Sequence, residues 1–160
     1  MEDRKAGIAT FFSYSEHMAV PEKLQSIVEL FAGAPRDMKL QALLDYSRRL
    51  PPLPPEFADH PELLERVHEC QSPFFLATDV DPDGIVTIVF DAPAETPTTR
   101  GYAGILAEGL AGATADEVLA VPDDFYQGMG LDDVVSPLRL RGMGAIVARL
   151  KRQVAAKTDT

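Results

Sequence analysis

Four prolines fall within the six residues 50–55, and they force this stretch to be extended and stiff. It reads as a rigid connector between two differently patterned parts of the chain. Upstream, Pro21 suits the first position of a helix. Leu24, Ile27, Val28 and Phe31 then recur at helical spacing to about Ala32, and Gly33 and Pro35 end the run. A second helix is predicted over Arg36 to Arg49, with Leu40, Leu43 and Leu44 on one face, so that the two form a helical hairpin.

Downstream, Phe74–Val80 reads as a strand, Asp81-Pro82-Asp83-Gly84 as a turn and Ile85–Phe90 as a second strand. Ile85, Thr87 and Val89 alternate with Val86, Ile88 and Phe90, so both faces are mostly apolar and the sheet is expected to be covered on more than one side. Helices follow. Thr98 or Thr99 is expected to cap one that runs to about Leu110. Thr114-Ala115-Asp116-Glu117 is a capping box, Pro122–Phe125 opens a short helix ending near Gly128 or Gly130, and Ser136-Pro137 starts the last. Met143, Ile146, Val147, Leu150 and Val154 give that helix the strongest apolar stripe in the chain. The pairs Gly101/Gly104 and Gly142/Gly144 read as close helix packing. The order predicts an α+β fold, a small antiparallel sheet with helices packed against it. It comprises a flexible leader over residues 1–20 and a single domain over 21–157.

Composition removes several function classes. The net charge of −10 disfavours generic nucleic-acid binding, which needs a basic face. No run of eighteen apolar residues is present, so no membrane span is expected. The start Met1-Glu2-Asp3-Arg4-Lys5 lacks signal-peptide features, and a lone cysteine suits a reducing compartment, which together point to the cytoplasm. Charge is unevenly spread. Residues 52–95 carry ten acidic residues and one basic residue, and residues 136–157 carry six basic and no acidic ones. This is either an ordinary solvated surface or a pair of faces that steer a protein partner.

Cys70 is the only cysteine. It can form no internal disulfide and no cysteine-rich metal site, which leaves a small buried hydrophobe or a nucleophile acting on another molecule. His60 and His68 lie near it in sequence, but the spacing matches no closed four-ligand pattern, so no metal and no cofactor are assigned. No serine nucleophile elbow, P-loop or dinucleotide fingerprint is present. Cys70 lies between the proline connector and a strand, beside Glu69, Gln71 and Ser72, as in a loop tip. Glu69 disfavours its thiolate, and His68 or a basic partner would have to oppose that effect. Such a thiol suits the acceptance of an electrophilic sulfur better than peroxide chemistry.

Three runs together carry a resemblance: Tyr46-Ser47-Arg48-Arg49-Leu50-Pro51-Pro52-Leu53-Pro54, then Arg66-Val67-His68-Glu69-Cys70-Gln71-Ser72, then Leu138-Arg139 within Ser136–Met143. In this order they resemble the SufE family of sulfur-acceptor proteins, over about residues 22–155. The resemblance implies an α+β fold and acceptance of persulfide sulfur on Cys70 from a pyridoxal-phosphate-dependent, SufS-like cysteine desulfurase. It also implies stimulation of that enzyme and delivery toward an iron–sulfur scaffold. Gln71 and Ser72 would shape the cysteine loop, Arg139 would contact the partner or support that loop, and His68 would assist deprotonation. The chain departs from the family pattern at Glu69, where glycine is usual, and at Pro73, where a polar residue is usual. The alternatives are a one-cysteine thiol peroxidase and an interaction module in which Cys70 is inert.

Overall fold

The segments on either side of the connector fold as their patterns demand. In the computed structural model, which describes residues 20–158, α1 spans Glu22–Ala32 and α2 spans Arg36–Arg49. Pro21 sits one residue earlier than expected, at the cap of α1. The face of α2 also differs from expectation. Leu43 is buried together with Lys39, Tyr46 and Ser47, while Leu40 is exposed. Buried Lys39 explains the rotation, because its ammonium donates to the Gly130 carbonyl at 2.9 Å and to Asp133 at 3.1 Å, so its burial is compensated. Of the leader expected over residues 1–20, only Val20 lies within the described residues, and it packs against the core.

After the prolines come a short helix α3 (Pro55–Asp59) and a three-stranded antiparallel sheet. Its strands β1 (Glu65–Arg66), β2 (Phe75–Val80) and β3 (Val86–Asp91) lie in that order. The predicted hairpin is β2–β3. Its turn is fixed by the Asp81 carboxylate, which accepts from the backbone N–H groups of Asp83 and Ile85, and by Gly84 at φ 81°. β1 is two residues long, too short for an alternation to show in sequence.

α4 (Pro97–Gly109), α5 (Ala115–Leu119) and α6 (Pro137–Thr158) complete the chain. The capping box at Thr114 and Glu117 is formed. Ser136 Oγ accepts from the Arg139 backbone at the start of α6. The expected cap of α4 by Thr98 or Thr99 is not formed: the helix starts at Pro97 behind Thr96, and Thr99 is buried within it. All five stripe residues of α6 are buried, and the helix lies along central strand β2, where Thr78 Oγ1 donates to Gln153 at 2.9 Å. The opposite face of the sheet is only partly covered, by Phe57 and Leu63 beside an open groove.

The two glycines predicted to allow close packing do so between α4 and α2. A Cβ at Gly101 would stand 2.3 Å from the Leu43 carbonyl oxygen, and one at Gly104 would stand 2.2 Å from that of Tyr46. Backbone cannot yield as a side-chain tip can. Gly104→Ala is therefore expected to destabilise the fold by at least about 1–3 kcal/mol, the usual cost of overpacking, measured as a lowered denaturation midpoint. Gly112→Ala, at an open turn, would cost only the strain of its positive φ and serves as the comparison.

Candidate functional site: a cysteine loop closed under the last helix

Residues 67–74 connect β1 to β2, and the loop is pinched shut at its base. The Val67 N–H donates to the Phe74 carbonyl at 2.9 Å, and both side chains are fully buried. A tight turn follows, in which the Cys70 N–H donates to the Val67 carbonyl at 3.1 Å. The sequence places Cys70 at a loop tip, but this tip is folded inward. Cys70 is only 8% exposed, and its thiol points at the Gly142 carbonyl of α6, 3.9 Å away. Gly142 permits this approach, since a Cβ there would lie 3.3 Å from the sulfur. Pro73 sits just outside the ladder, so its missing N–H removes no strand hydrogen bond.

Charge holds the loop in place. Arg149, on α6, donates through Nη2 to Glu69 at 2.7 Å and through Nη1 to Glu65 at 2.8 Å. Glu65 also accepts from Gln153 at 2.8 Å and from Arg152. The fork of Arg149 therefore grips a carboxylate from β1 and one from the residue preceding the cysteine. The hydrogen bond from Arg149 holds the Glu69 carboxyl below its ordinary range. Burial pushes Glu65 up, but the bonds from Gln153, Arg152 and Arg149 outweigh it and lower its pKa.

The same arrangement silences the thiol. Burial is the main cause that pushes Cys70 up to about 11, Glu69 adds to it, and Arg149 opposes it. The expected opposing charge, His68, is exposed on the loop, and the opposition comes from Arg149 instead. Gln71 is exposed and Ser72 half-buried in the same turn. Arg139 is half-buried one turn ahead of Gly142, on the same side of α6. Among the described residues, neither its guanidinium nor that of Arg141 has an ion-pair partner, whereas Arg149, Arg152 and Lys151 are all paired. The structure thus brings Cys70, Glu69, Gly142 and Arg149 together. The sequence reading named Glu69 and Gly142 without linking them, and Arg149 only as one member of a basic run. Within the described residues no three His, Cys, Asp or Glu side chains converge as metal ligands.

The family model for SufE, the Fe-S metabolism associated domain, matches residues 25–154. An uncharacterized SufE-like protein of Mycobacterium tuberculosis is 47% identical over 136 residues, covering 85% of this chain and 94% of that protein. The cysteine desulfuration protein SufE of Plasmodium vivax is 26% identical over 139 residues, covering 85% of this chain and 54% of its own length. The solution structure of a hypothetical protein from Thermus thermophilus superposes with a TM-score of 0.78 at 45% identity, over 88% of this chain and 99% of that one.

Two outcomes follow from a thiol at about 11 behind an ionic clamp. The closed loop holds about 100-fold less thiolate near pH 8 than a thiol at the ordinary value of 9.0, so iodoacetamide should label native Cys70 correspondingly more slowly than the unfolded chain. Stability linked to this group is fully present below the unfolded thiol's pKa. It is lost as pH rises from there through about 11. Glu69→Ala should speed labelling several-fold with little change in the melt, because an exposed pair adds little to global stability. Labelling as fast as in the unfolded chain would rule out the closed loop.

Proposed function

Since the chain belongs to the SufE family, we propose that Cys70 is a persulfide acceptor for a pyridoxal-phosphate-dependent, SufS-like cysteine desulfurase. The Cys70 thiolate attacks the terminal sulfur of the persulfide on the desulfurase's cysteine. A new S–S bond forms to Cys70, the old one breaks, and the desulfurase cysteine departs as a thiolate. The sulfur then passes toward an iron–sulfur scaffold, the acceptor stimulates its donor, and the exchange takes place in the cytoplasm. No step of this exchange calls for a cofactor on this chain.

The observation that carries this reading is a sole thiol that rests buried, with its loop held to α6 by an ionic clamp at the neighbouring Glu69. A buried cysteine with a raised pKa is a poor peroxidase, because peroxide reacts with exposed thiolate. It is adequate for a reaction in which the donor opens the loop and supplies the electrophilic sulfur in place. An inert structural cysteine would gain nothing from an ionic clamp beside it. Arg139 and Arg141 offer unpaired positive charge near the loop, suited to an acidic rim on the desulfurase. Gln71, Ser72 and His68 would be exposed to the partner once the loop swings out, His68 taking the proton and the other two shaping the turn.

Incubation with a desulfurase and cysteine should add one sulfur to the intact mass, removable by a reductant, and Cys70→Ser should abolish it. Sulfur uptake by that variant, or rapid peroxide turnover by the native chain, would overturn the reading. Arg139→Ala should reduce stimulation of the desulfurase several-fold while shifting stability by less than roughly 0.5 kcal/mol. An unchanged desulfurase rate would return Arg139 to the solvated surface.

A further inference from the structure

The start of α6 carries Arg139 and Arg141, yet the buried stripe that seats this helix begins only at Gly142 and Met143. Pro137, Leu138 and Arg141 are exposed, and Arg139 and Leu140 are half-buried. A helix end with so little burial of its own frays unless something upstream holds it. Two contacts do so. Ser136 Oγ accepts from the Arg139 N–H at 3.3 Å, and the 3₁₀ turn Leu131–Asp133, a few residues earlier, packs against α6.

That turn is anchored from a distant helix. Lys39, on α2, is only 5% exposed. Its ammonium donates at 2.9 Å to the carbonyl of Gly130, which caps the turn, and at 3.1 Å to the carboxylate of Asp133, which ends it. Gly130 is suited to this contact: its φ is 64°, and a Cβ there would stand 2.8 Å from Lys39 Nζ. Leu131, between the two gripped residues, is buried in the core. An apolar side chain of similar length would fill the space between α2 and the turn without taking an ammonium out of water. What the charge adds is a hold on both ends of the turn at once, since an ammonium has three donors to share.

We infer that Lys39 is a positioning residue for the encounter with the desulfurase: by fixing the turn Leu131–Asp133 it sets the direction in which the start of α6 presents Arg139 and Arg141. The inference rests on the persulfide-acceptor reading and deepens it, since it names what orients the arginines that meet the donor. Lys39 is buried and reaches no partner itself. Among the described residues its hydrogen bonds go to the turn alone. Its effect therefore falls on the strength of docking and not on the reactivity of Cys70.

The test uses the full chain carrying Lys39→Met, which keeps the apolar stem and removes the ammonium. Hydrogen exchange needs no desulfurase. The amides of Arg139 and Leu140 should exchange roughly tenfold faster than in the native chain, the effect of one hydrogen bond to a charged group, while those of Ile146 to Leu150 keep their native rates. With a SufS-like desulfurase and cysteine, the acceptor concentration that gives half-maximal stimulation should rise several-fold and the maximum should stay the same. Loading of Cys70 by inorganic polysulfide, in which the thiolate displaces a shorter polysulfide, should proceed at the native rate. Combined with Arg139→Ala, Lys39→Met should raise the half-saturating concentration no further, because both act on one contact. A merely structural role would lower the maximum and add to the effect of Arg139→Ala. Native exchange at Arg139 and Leu140, native half-saturation or additive losses would each overturn the inference. Asp133→Asn covers the case in which Lys39→Met does not fold. That carboxylate is 59% exposed, so the fold survives, and half-saturation should rise about twofold, in keeping with one exposed ion pair; an unmoved value would overturn the inference as well. A native chain that takes no sulfur from the desulfurase fails the acceptor reading and the docking role with it. Normal sulfur uptake beside unshifted variants fails the inference alone.

Discussion

The two-pronged grip of Arg149 on Glu65 and Glu69 is the contact on which the site depends. β1 contributes only two residues to the sheet, too few to fix a loop by ladder hydrogen bonds alone. A planar guanidinium can bind two carboxylates at once with fixed geometry, which a lysine ammonium cannot do. One prong ties β1 to α6, and the other ties the residue beside the cysteine to the same helix. The apolar stripe of α6 supplies most of the burial along β2. The polar network Thr78–Gln153–Glu65–Arg149–Glu69 sets the register in which that burial occurs.

Reactivity and protection are balanced at this contact. Burial and a neighbouring carboxylate keep the sulfur neutral, which suits a group that must not react with whatever thiol or oxidant it meets. Val67, Cys70 and Phe74 join the core, and the ionic clamp adds a local restraint at the rim of the loop. An exposed salt bridge contributes little to global stability, so the clamp bears on the loop far more than on the sheet and helices behind it. A residue without a carboxylate before the cysteine could not make this clamp, so it is Glu69 that ties the loop to α6.

The charge asymmetry of the sequence divides in the same way. Part of it is internal, since Arg149 and Arg152 face Glu65 and Glu69 and Lys151 faces Asp123. Near the start of α6, the guanidinium groups of Arg139 and Arg141 have no ionic partner among the described residues. The opposed acidic and basic segments are therefore in large measure complementary surfaces of one fold.

Local pattern was enough for much of the architecture. The 3.6-residue spacing of Leu24–Phe31 and of Met143–Val154, the Asp81–Gly84 turn and the Thr114 capping box each depend on neighbours a few residues away, and each appears as read. The motifs that flank the sole cysteine likewise identified the family. The features read wrongly or missed depend on residues far apart in sequence. Leu40 turns outward because Lys39 finds Gly130 and Asp133 some ninety residues away. Cys70 turns inward because Gly142 leaves room for it and Arg149, eighty residues on, holds Glu69. Sequence by itself determined that a single thiol sulfur is available. Only the tertiary structure decided that this atom rests buried, neutral and clamped, because burial and charge pairing are set by which distant segments the fold brings together.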